Sequence, residues 1–184
     1  MTARRAAFAA LSAFLLLTAA APGARAASAS VIDQKVDVAL NSLLAQSPTA
    51  QALADKAVAI LVFPQVVKAG FGFGGEFGEG ALRRNDATVG YYNLASASFG
   101  FQIGAQAYSE AYFFMTEDAL ASLDRTGGFE VGADAAVAVA TEGLSAGASS
   151  ATVTKPITVF VFGQQGLMAG ATIEGSKITR INPK

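Results

Sequence analysis

Between Lys68 and Arg84 the chain reads K-A-G-F-G-F-G-G-E-F-G-E-G-A-L-R-R, and its two parities differ sharply. The odd positions carry three aromatic rings, Phe71, Phe73 and Phe77. The even positions are almost bare: Gly70, Gly72, Gly74, Glu76, Gly78, Gly80 and Leu82. Alternation with period two predicts a β-strand, because successive side chains leave opposite faces of the pleat. Glycine weakens strands, so this many predict sharp coiling, a bulge, or another backbone packed close against the sheet.

Upstream the period changes. From Ser28 or Ser30 a helix is expected, with serine as N-cap and Asp33 in its first turn. Ile32, Val36, Ala39, Leu40, Leu43 and Leu44 fall on one of its faces. Ser47-Pro48 opens a second short helix to about residue 56, since proline suits the first helical position. Amphipathic helices of this kind fit packing on a sheet better than insertion into a bilayer surface.

The remaining patterns are mostly strands. Residues 58–63 form an apolar run closed by Pro64, and residues 88–94 follow a polar turn at Arg83-Arg84-Asn85-Asp86. Residues 99–108 alternate again, and 111–115 are short and apolar. Thr116-Glu117-Asp118 caps a helix to about residue 123, which Thr126-Gly127-Gly128 ends. Residues 129–141 alternate once more, and 143–151 are small and flexible. Strands at 157–162 and 167–173 would be joined through Gly163-Gln164-Gln165-Gly166 as a hairpin connection, and 177–181 extend the last strand. The expected fold is therefore α+β: a Gly-rich antiparallel β-barrel or sandwich with N-terminal helices and one inserted helix. No linker divides it, so residues 27–184 are expected to form one domain.

Composition narrows the chemistry. The 184 residues contain no cysteine and no histidine, which excludes disulfides, thiol nucleophiles, Ser-His-Asp triads and zinc sites built on Cys or His. Metal ligation and a cofactor are not expected. At the N-terminus Arg4-Arg5, the apolar run 6–21 and Ala24-Arg25-Ala26 make a signal peptide spanning residues 1–26, with cleavage expected after Ala26. The Arg4-Arg5 pair leaves the general secretory and twin-arginine routes both open. Without a cysteine no lipid is attached at the mature N-terminus, so a periplasmic or secreted protein, membrane-peripheral but not a lipoprotein, is expected. Loss of Arg4, Arg5 and Arg25 leaves ten basic against fourteen acidic side chains, a net charge of −4. That balance argues against nucleic acid as a partner.

Two phosphate-loop spellings fail on context. Gly70-x-Gly72-x-x-Gly75 is followed by further strand-like alternation, where a dinucleotide fingerprint needs a helix. The run 170–177 has its serine before its lysine, with no helix to follow. Glu76 and Glu79 lie on opposite faces of a regular strand and read as solvated rather than as a catalytic pair. No catalytic constellation emerges, and the chain is not expected to be an enzyme. Lys56, Lys68, Arg83 and Arg84 are the cations near the glycine-rich stretch. They could grip phosphate, or Arg83-Arg84 could merely solvate a hairpin end.

Several separated blocks carry a resemblance. Val62-Phe63-Pro64-x-Val66-Val67-Lys68-Ala69-Gly70-Phe71-Gly72-x-Gly74-Gly75-x-x-Gly78-x-Gly80 resembles the opening signature of the SYLF lipid-binding domain. Ser98-Phe99-Gly100-Phe101-Gln102-Ile103-Gly104-Ala105-Gln106, Phe114-Met115-Thr116, Phe129-x-Val131-Gly132-x-Asp134 and Gly166-Leu167-Met168-Ala169-Gly170-x-x-x-Glu174-Gly175-Ser176 resemble its later segments in the same order. The resemblance implies a non-enzymatic domain that binds anionic membrane lipids, phosphoinositides in eukaryotic members, with actin an additional partner in fungal ones. Actin is not expected as a partner of an exported chain, where phosphatidylglycerol or cardiolipin would be the available anionic lipids. Headgroup contacts are then expected from Lys56, Lys68, Arg83 and Arg84. The alternative expectation is an envelope structural or protein-interaction module with no lipid ligand.

Overall fold

The computed structural model describes residues 27–125, 128–130, 137–141, 155–166 and 175–184. The expected signal peptide, the stretch 143–151, the strand at 167–173 and residues 131–136 of the strand at 129–141 lie outside the described residues.

Two helices open the described chain, α1 (Ala29–Gln46) and α2 (Pro48–Ala54). Ser47 accepts a hydrogen bond from the Ala50 N–H at 3.2 Å, and Pro48 takes the first helical position, where its missing N–H costs nothing. Ser28 caps α1 through its carbonyl alone, accepting from Val31 and Ile32 at 3.0 Å. Asp33 does not serve the first turn. It accepts from Thr88 Oγ1 and from the Tyr91 hydroxyl, each at 2.8 Å, and so ties α1 to the sheet.

Where the sequence predicts five separate strands between residues 58 and 115, the structure has two long ones. They are β1 (Ala59–Arg84) and β2 (Ala87–Phe114), paired antiparallel along nearly their whole length. Pro64 interrupts the pattern without ending the strand. The register passes from Phe63 opposite Glu110 to Val66 opposite Tyr108, so Pro64-Gln65 is a bulge of one extra residue on β1. Proline is tolerated because β1 pairs only with β2 among the described residues, leaving its other side without a ladder to break. The hairpin turn places Asn85 and Asp86 at φ of 50° and 61°, the left-handed geometry that these two residue types accept best after glycine.

A flat strand of 26 residues at about 3.3 Å per residue would span roughly 85 Å. A compact domain of this size has a radius of gyration of only about 15 Å, so the ribbon must curl. The glycines allow it. A Cβ added at Gly80 would sit 2.2 Å from the Val62 carbonyl oxygen, and one at Gly78 would sit 3.0 Å from Val66 Cγ2. The second half of β1 therefore folds back face to face on its first half. It is the bare even face of the glycine run that turns inward, while Phe77 on the odd face is 52% exposed.

After β2 come α3 (Glu117–Ala121), capped by the Thr116 hydroxyl, and a 3₁₀ turn at Ser122–Asp124. Then follow β3 (Phe129–Glu130), β4 (Val137–Thr141), β5 (Ile157–Gly166) and β6 (Lys177–Ile181). The six described strands make one sheet curled into a half-barrel, in the order β3-β6-β2-β5-β4 with β1 on the open side of β2. All pairings are antiparallel except β4 with β5. The expected hairpin connection at Gly163–Gly166 is instead the end of β5. Gln165 and Gly166 pair with Ala107 and Gln106, and an extra residue beside Gly163 (φ 62°) makes a bulge. A glycine that accepts positive φ serves a bulge as well as a turn, so the composition was the same for both.

The sheet is buried on both faces. Its concave side encloses Leu61, Phe63, Leu82, Leu94, Tyr112, Phe114, Val159 and Ile178, with Phe63 and Tyr112 edge-to-face at 5.9 Å. Its convex side holds Ile60, Val62, Phe113, Phe160 and Phe162 under Ile32, Val36, Leu43, Ala50 and Leu53 of the helices. The apolar face of α1 is thus occupied by the sheet, as its amphipathic pattern predicts.

Candidate functional site

Where the bulge at Pro64-Gln65 meets α1 there are two adjoining cavities of about 610 and 170 Å³, both lined by Lys35, Pro64 and Gln65. The larger runs between α1 (Gln34, Lys35, Val38, Ser42) and the strands at Ser109, Phe162 and Gly163, with Tyr108 in its wall. The smaller is lined by Ile32, Val67, Phe77 and Glu79. Large apolar side chains stand exposed here. Val38 is 72% exposed and Val67 45%, beside the half-exposed Phe77. Lys35 is exposed and is the cation common to both cavities. The groove thus has an apolar rim, one cation, Lys35, shared by both cavities, one carboxylate, Glu79, in the smaller cavity, and a polar lining of amides and hydroxyls.

Behind this groove, inside the half-barrel, lies a cluster of buried polar groups. Lys68 Nζ and Glu76 Oε1 are 2.5 Å apart, each side chain only 2% exposed. Glu110 is fully buried and accepts from the Tyr112 hydroxyl at 2.7 Å. Gln106 and Tyr108 are buried between these two pairs along β2, opposite Lys68 and Val66. Burial pushes the Glu110 carboxyl up to about 7; the Tyr112 bond pulls the other way, and the Glu76 charge adds to the rise. Burial, then the Glu110 and Glu76 charges, holds the Tyr108 phenol well above its ordinary range. Among the described residues Glu76 Oε2, Glu110 Oε1, Gln106 Oε1 and the Tyr108 hydroxyl have no hydrogen-bond partner. Glu76 and Glu110 line neither cavity of the groove.

The four sequence-predicted cations are not brought together. Lys68 is in the interior pair just described. Arg83 pairs with Asp37 of α1 and donates to Thr88 Oγ1 at 2.7 Å, joining the hairpin end to the helix. Arg84 pairs with Glu117 at the start of α3. That contact puts Arg84 at the end of the sheet where β2 stops and β1 begins, and Lys56, exposed, immediately precedes β1. Lys56, Arg83 and Arg84 therefore share one end of the sheet, and Lys68 does not. Asp37, Asp55, Asp86 and Glu117 accompany them in sequence or contact.

Glu76 and Glu79 do lie on opposite faces, but Glu76 is buried where a solvated residue was expected. The sign lay in the pattern: Lys68 and Glu76 share a parity with Val66 and Leu82, both core residues. Reading it required knowing that Pro64-Gln65 was a bulge, which reverses the faces for everything after it. Lys35, Val38 and Phe77 gave no signal as a group, because only the fold-back of β1 brings them to one groove. Among the described residues no group of three or more Asp or Glu is placed to hold a metal ion, and no helix is long and apolar enough to cross a membrane.

A family model described as Ysc84: Las17-binding protein actin regulator matches residues 95–182, from the middle of β2 through β6. The signature-like run at 62–80 lies upstream of that match, and the blocks at residues 131–134 and 167–174 lie outside the described residues. No curated protein matches the chain.

Proposed function

The chain belongs to the SYLF family, a family of non-enzymatic binding domains with general lipid-binding or actin-regulatory roles, and on that premise we propose that it is an exported protein that docks on anionic phospholipid surfaces. The observation that carries this reading is the groove between α1 and the β1 bulge. Its exposed Val38, Val67 and Phe77 can enter the headgroup–acyl boundary while Lys35 meets a phosphate. Apolar contact supplies the attraction and one or two cations supply the preference for negative lipid. A membrane-docking surface of this kind leaves the apolar face of α1 on the sheet, so binding needs no unfolding of the helix.

Among the cations expected from the sequence, Lys56 and the 41%-exposed Arg84 are proposed as secondary headgroup contacts. Lys68 and Arg83 are proposed to hold the fold, since using them would first break a buried or half-buried pair. Phosphatidylglycerol or cardiolipin is the proposed lipid, in a periplasmic or secreted setting reached through the signal peptide at residues 1–26.

The test is co-sedimentation of the chain from Ala27 onward with phosphatidylcholine vesicles, with and without phosphatidylglycerol. Binding is expected to the anionic vesicles and to weaken with salt. Val38→Asp with Phe77→Asp should lower the bound fraction by about tenfold or more, since each removes an apolar anchor and adds a like charge. Equal recovery on both vesicles, indifferent to that double variant, would sink the reading. A second reading, a protein-interaction module, is supported by the edge of β1 that pairs with no other strand among the described residues and by the family's protein-binding description. Capture of one defined protein, with no lipid retained in native mass spectrometry, would favour it.

A further inference from the structure

The N-terminal end of α1 has unsatisfied N–H groups and a partial positive charge, which an acidic residue in the first turn would ordinarily meet. This helix has none there, and the Ser28 side chain makes no capping bond. The carboxylate that faces it comes instead from β1: Ala27 N donates to Glu79 Oε2 at 3.1 Å, across 52 residues of sequence. Glu79 is held there by the fold-back of β1, because its neighbours Gly78 and Gly80 rest against Val66 and Val62. Lys35 of α1 and Glu79 of β1 are the two charged side chains lining this cavity, which Ala27 also lines.

Ala27 is also the residue that follows Ala24-Arg25-Ala26, the small-x-small signal of the leader, and the helix begins two residues beyond it. We infer that removal of the leader between Ala26 and Ala27 creates an α-ammonium group that Glu79 receives, so that maturation itself adds an ion pair fastening α1 to β1. In the step, water adds across the Ala26–Ala27 peptide bond under a signal-type peptidase. The C–N bond breaks, the water oxygen stays on Ala26, which leaves as a carboxylate, and the Ala27 nitrogen keeps its place and takes up both protons of the water. An amide with one N–H becomes an ammonium with three, beside an acceptor already in hydrogen-bond reach. The pairing also offsets the repulsion that a bare ammonium would feel at the positive end of a helix.

This inference rests on the exported reading proposed above, and the experiment separates the two. The chain is expressed at full length in an exporting host, and the N-terminus of the exported product is determined by mass spectrometry. The α-amino group is then titrated by NMR with ¹⁵N-alanine label, in the wild type and in Glu79→Gln. A start at Ala27 is expected, with the α-amino group titrating about one pH unit above the usual 7.7–8.0, a tenfold change in proton affinity, and returning to that range in Glu79→Gln. Because the folded value is raised, the pair's stabilisation is present below about pH 8 and is lost as pH rises through the folded value. Retention of residues 1–26 would overturn both the export reading and this inference. A start elsewhere, or identical titration in the two proteins, would overturn this inference alone.

Discussion

Two groups of charges, one inside the half-barrel and one at its hairpin end, look alike in the sequence and behave differently in the fold. Lys68 faces Glu76 across a core with both side chains 2% exposed, and a second carboxylate, Glu110, is buried along the same face. Arg84 faces Glu117 in solvent, at 41% and 61% exposure. Coulomb attraction favours both pairs, but the energetic stakes are set by desolvation. An exposed pair exchanges partners with water and salt almost freely, whereas a buried pair is costly to build and more costly to break halfway. A cation near a glycine-rich strand therefore says little about ligand contact until its side of the sheet is known.

The largest expected effect follows from breaking the interior pair on one side. Lys68→Met leaves Glu76 without its countercharge in the core and should cost about 3–5 kcal/mol of unfolding free energy. Lys68→Met combined with Glu76→Met removes both charges and should recover most of that loss, so urea denaturation of the two singles and the double closes a cycle with strong coupling. A cost below about 1 kcal/mol for Lys68→Met would place Lys68 in solvent, where it could join Lys56 and Arg84 as a proposed headgroup contact.

Glu110 sharpens the comparison through pH. Its folded value of about 7 lies above the ordinary carboxyl value of 4.5, chiefly because burial disfavours the charged form. Below pH 4.5 both states hold the proton, and the contribution of Glu110 to stability is greatest. Between 4.5 and 7 the unfolded chain gives up its proton while the folded one keeps it, so stability falls as pH rises, by about 3 kcal/mol in all, and it is flat above 7. Glu110→Gln keeps an acceptor for the Tyr112 hydroxyl and cannot ionise. It should erase this slope and be at least as stable as the wild type at pH 8. Denaturation curves at pH 5 and pH 8 for the two proteins check it; an undiminished slope in the variant would assign the titration to another group.

Much of the architecture was legible because it depends on local rules. Ser47-Pro48 and Thr116 cap helices as their chemistry predicts, and the stripe from Ile32 to Leu43 packs on the sheet. The glycine run predicted a close backbone approach, and Gly80 against the Val62 carbonyl is that approach. What stayed hidden depends on two bulges. Pro64-Gln65 looked like a strand end and Gly163–Gly166 like a turn, because proline and glycine punctuate the chain in the same way at bulges. Once Pro64-Gln65 is a bulge, the parity of residues 66–82 reverses. Lys68 and Glu76 then turn inward, and Phe77 turns out to the groove beside Lys35 and Val38. The candidate site was invisible for that reason: the glycines predict a close approach, but no local pattern says that the segment approached is residues 62–66 or which side chains the fold-back brings together.

The smallest effect belongs to the exposed pair, and its small size is what makes it useful. Arg84→Ala removes a contact between two solvated side chains and should cost no more than about 1 kcal/mol at low ionic strength. At 1 M salt, where the screening length falls to about 3 Å, even that difference should vanish. The Lys68→Met penalty, by contrast, should persist at 1 M salt, since ions do not enter the core. If Arg84 is also a headgroup contact, its loss should lower recovery on phosphatidylglycerol vesicles while leaving stability nearly untouched. Arg84→Ala thus separates binding from folding, which Lys68→Met cannot do, because its folding penalty would mask any change in binding.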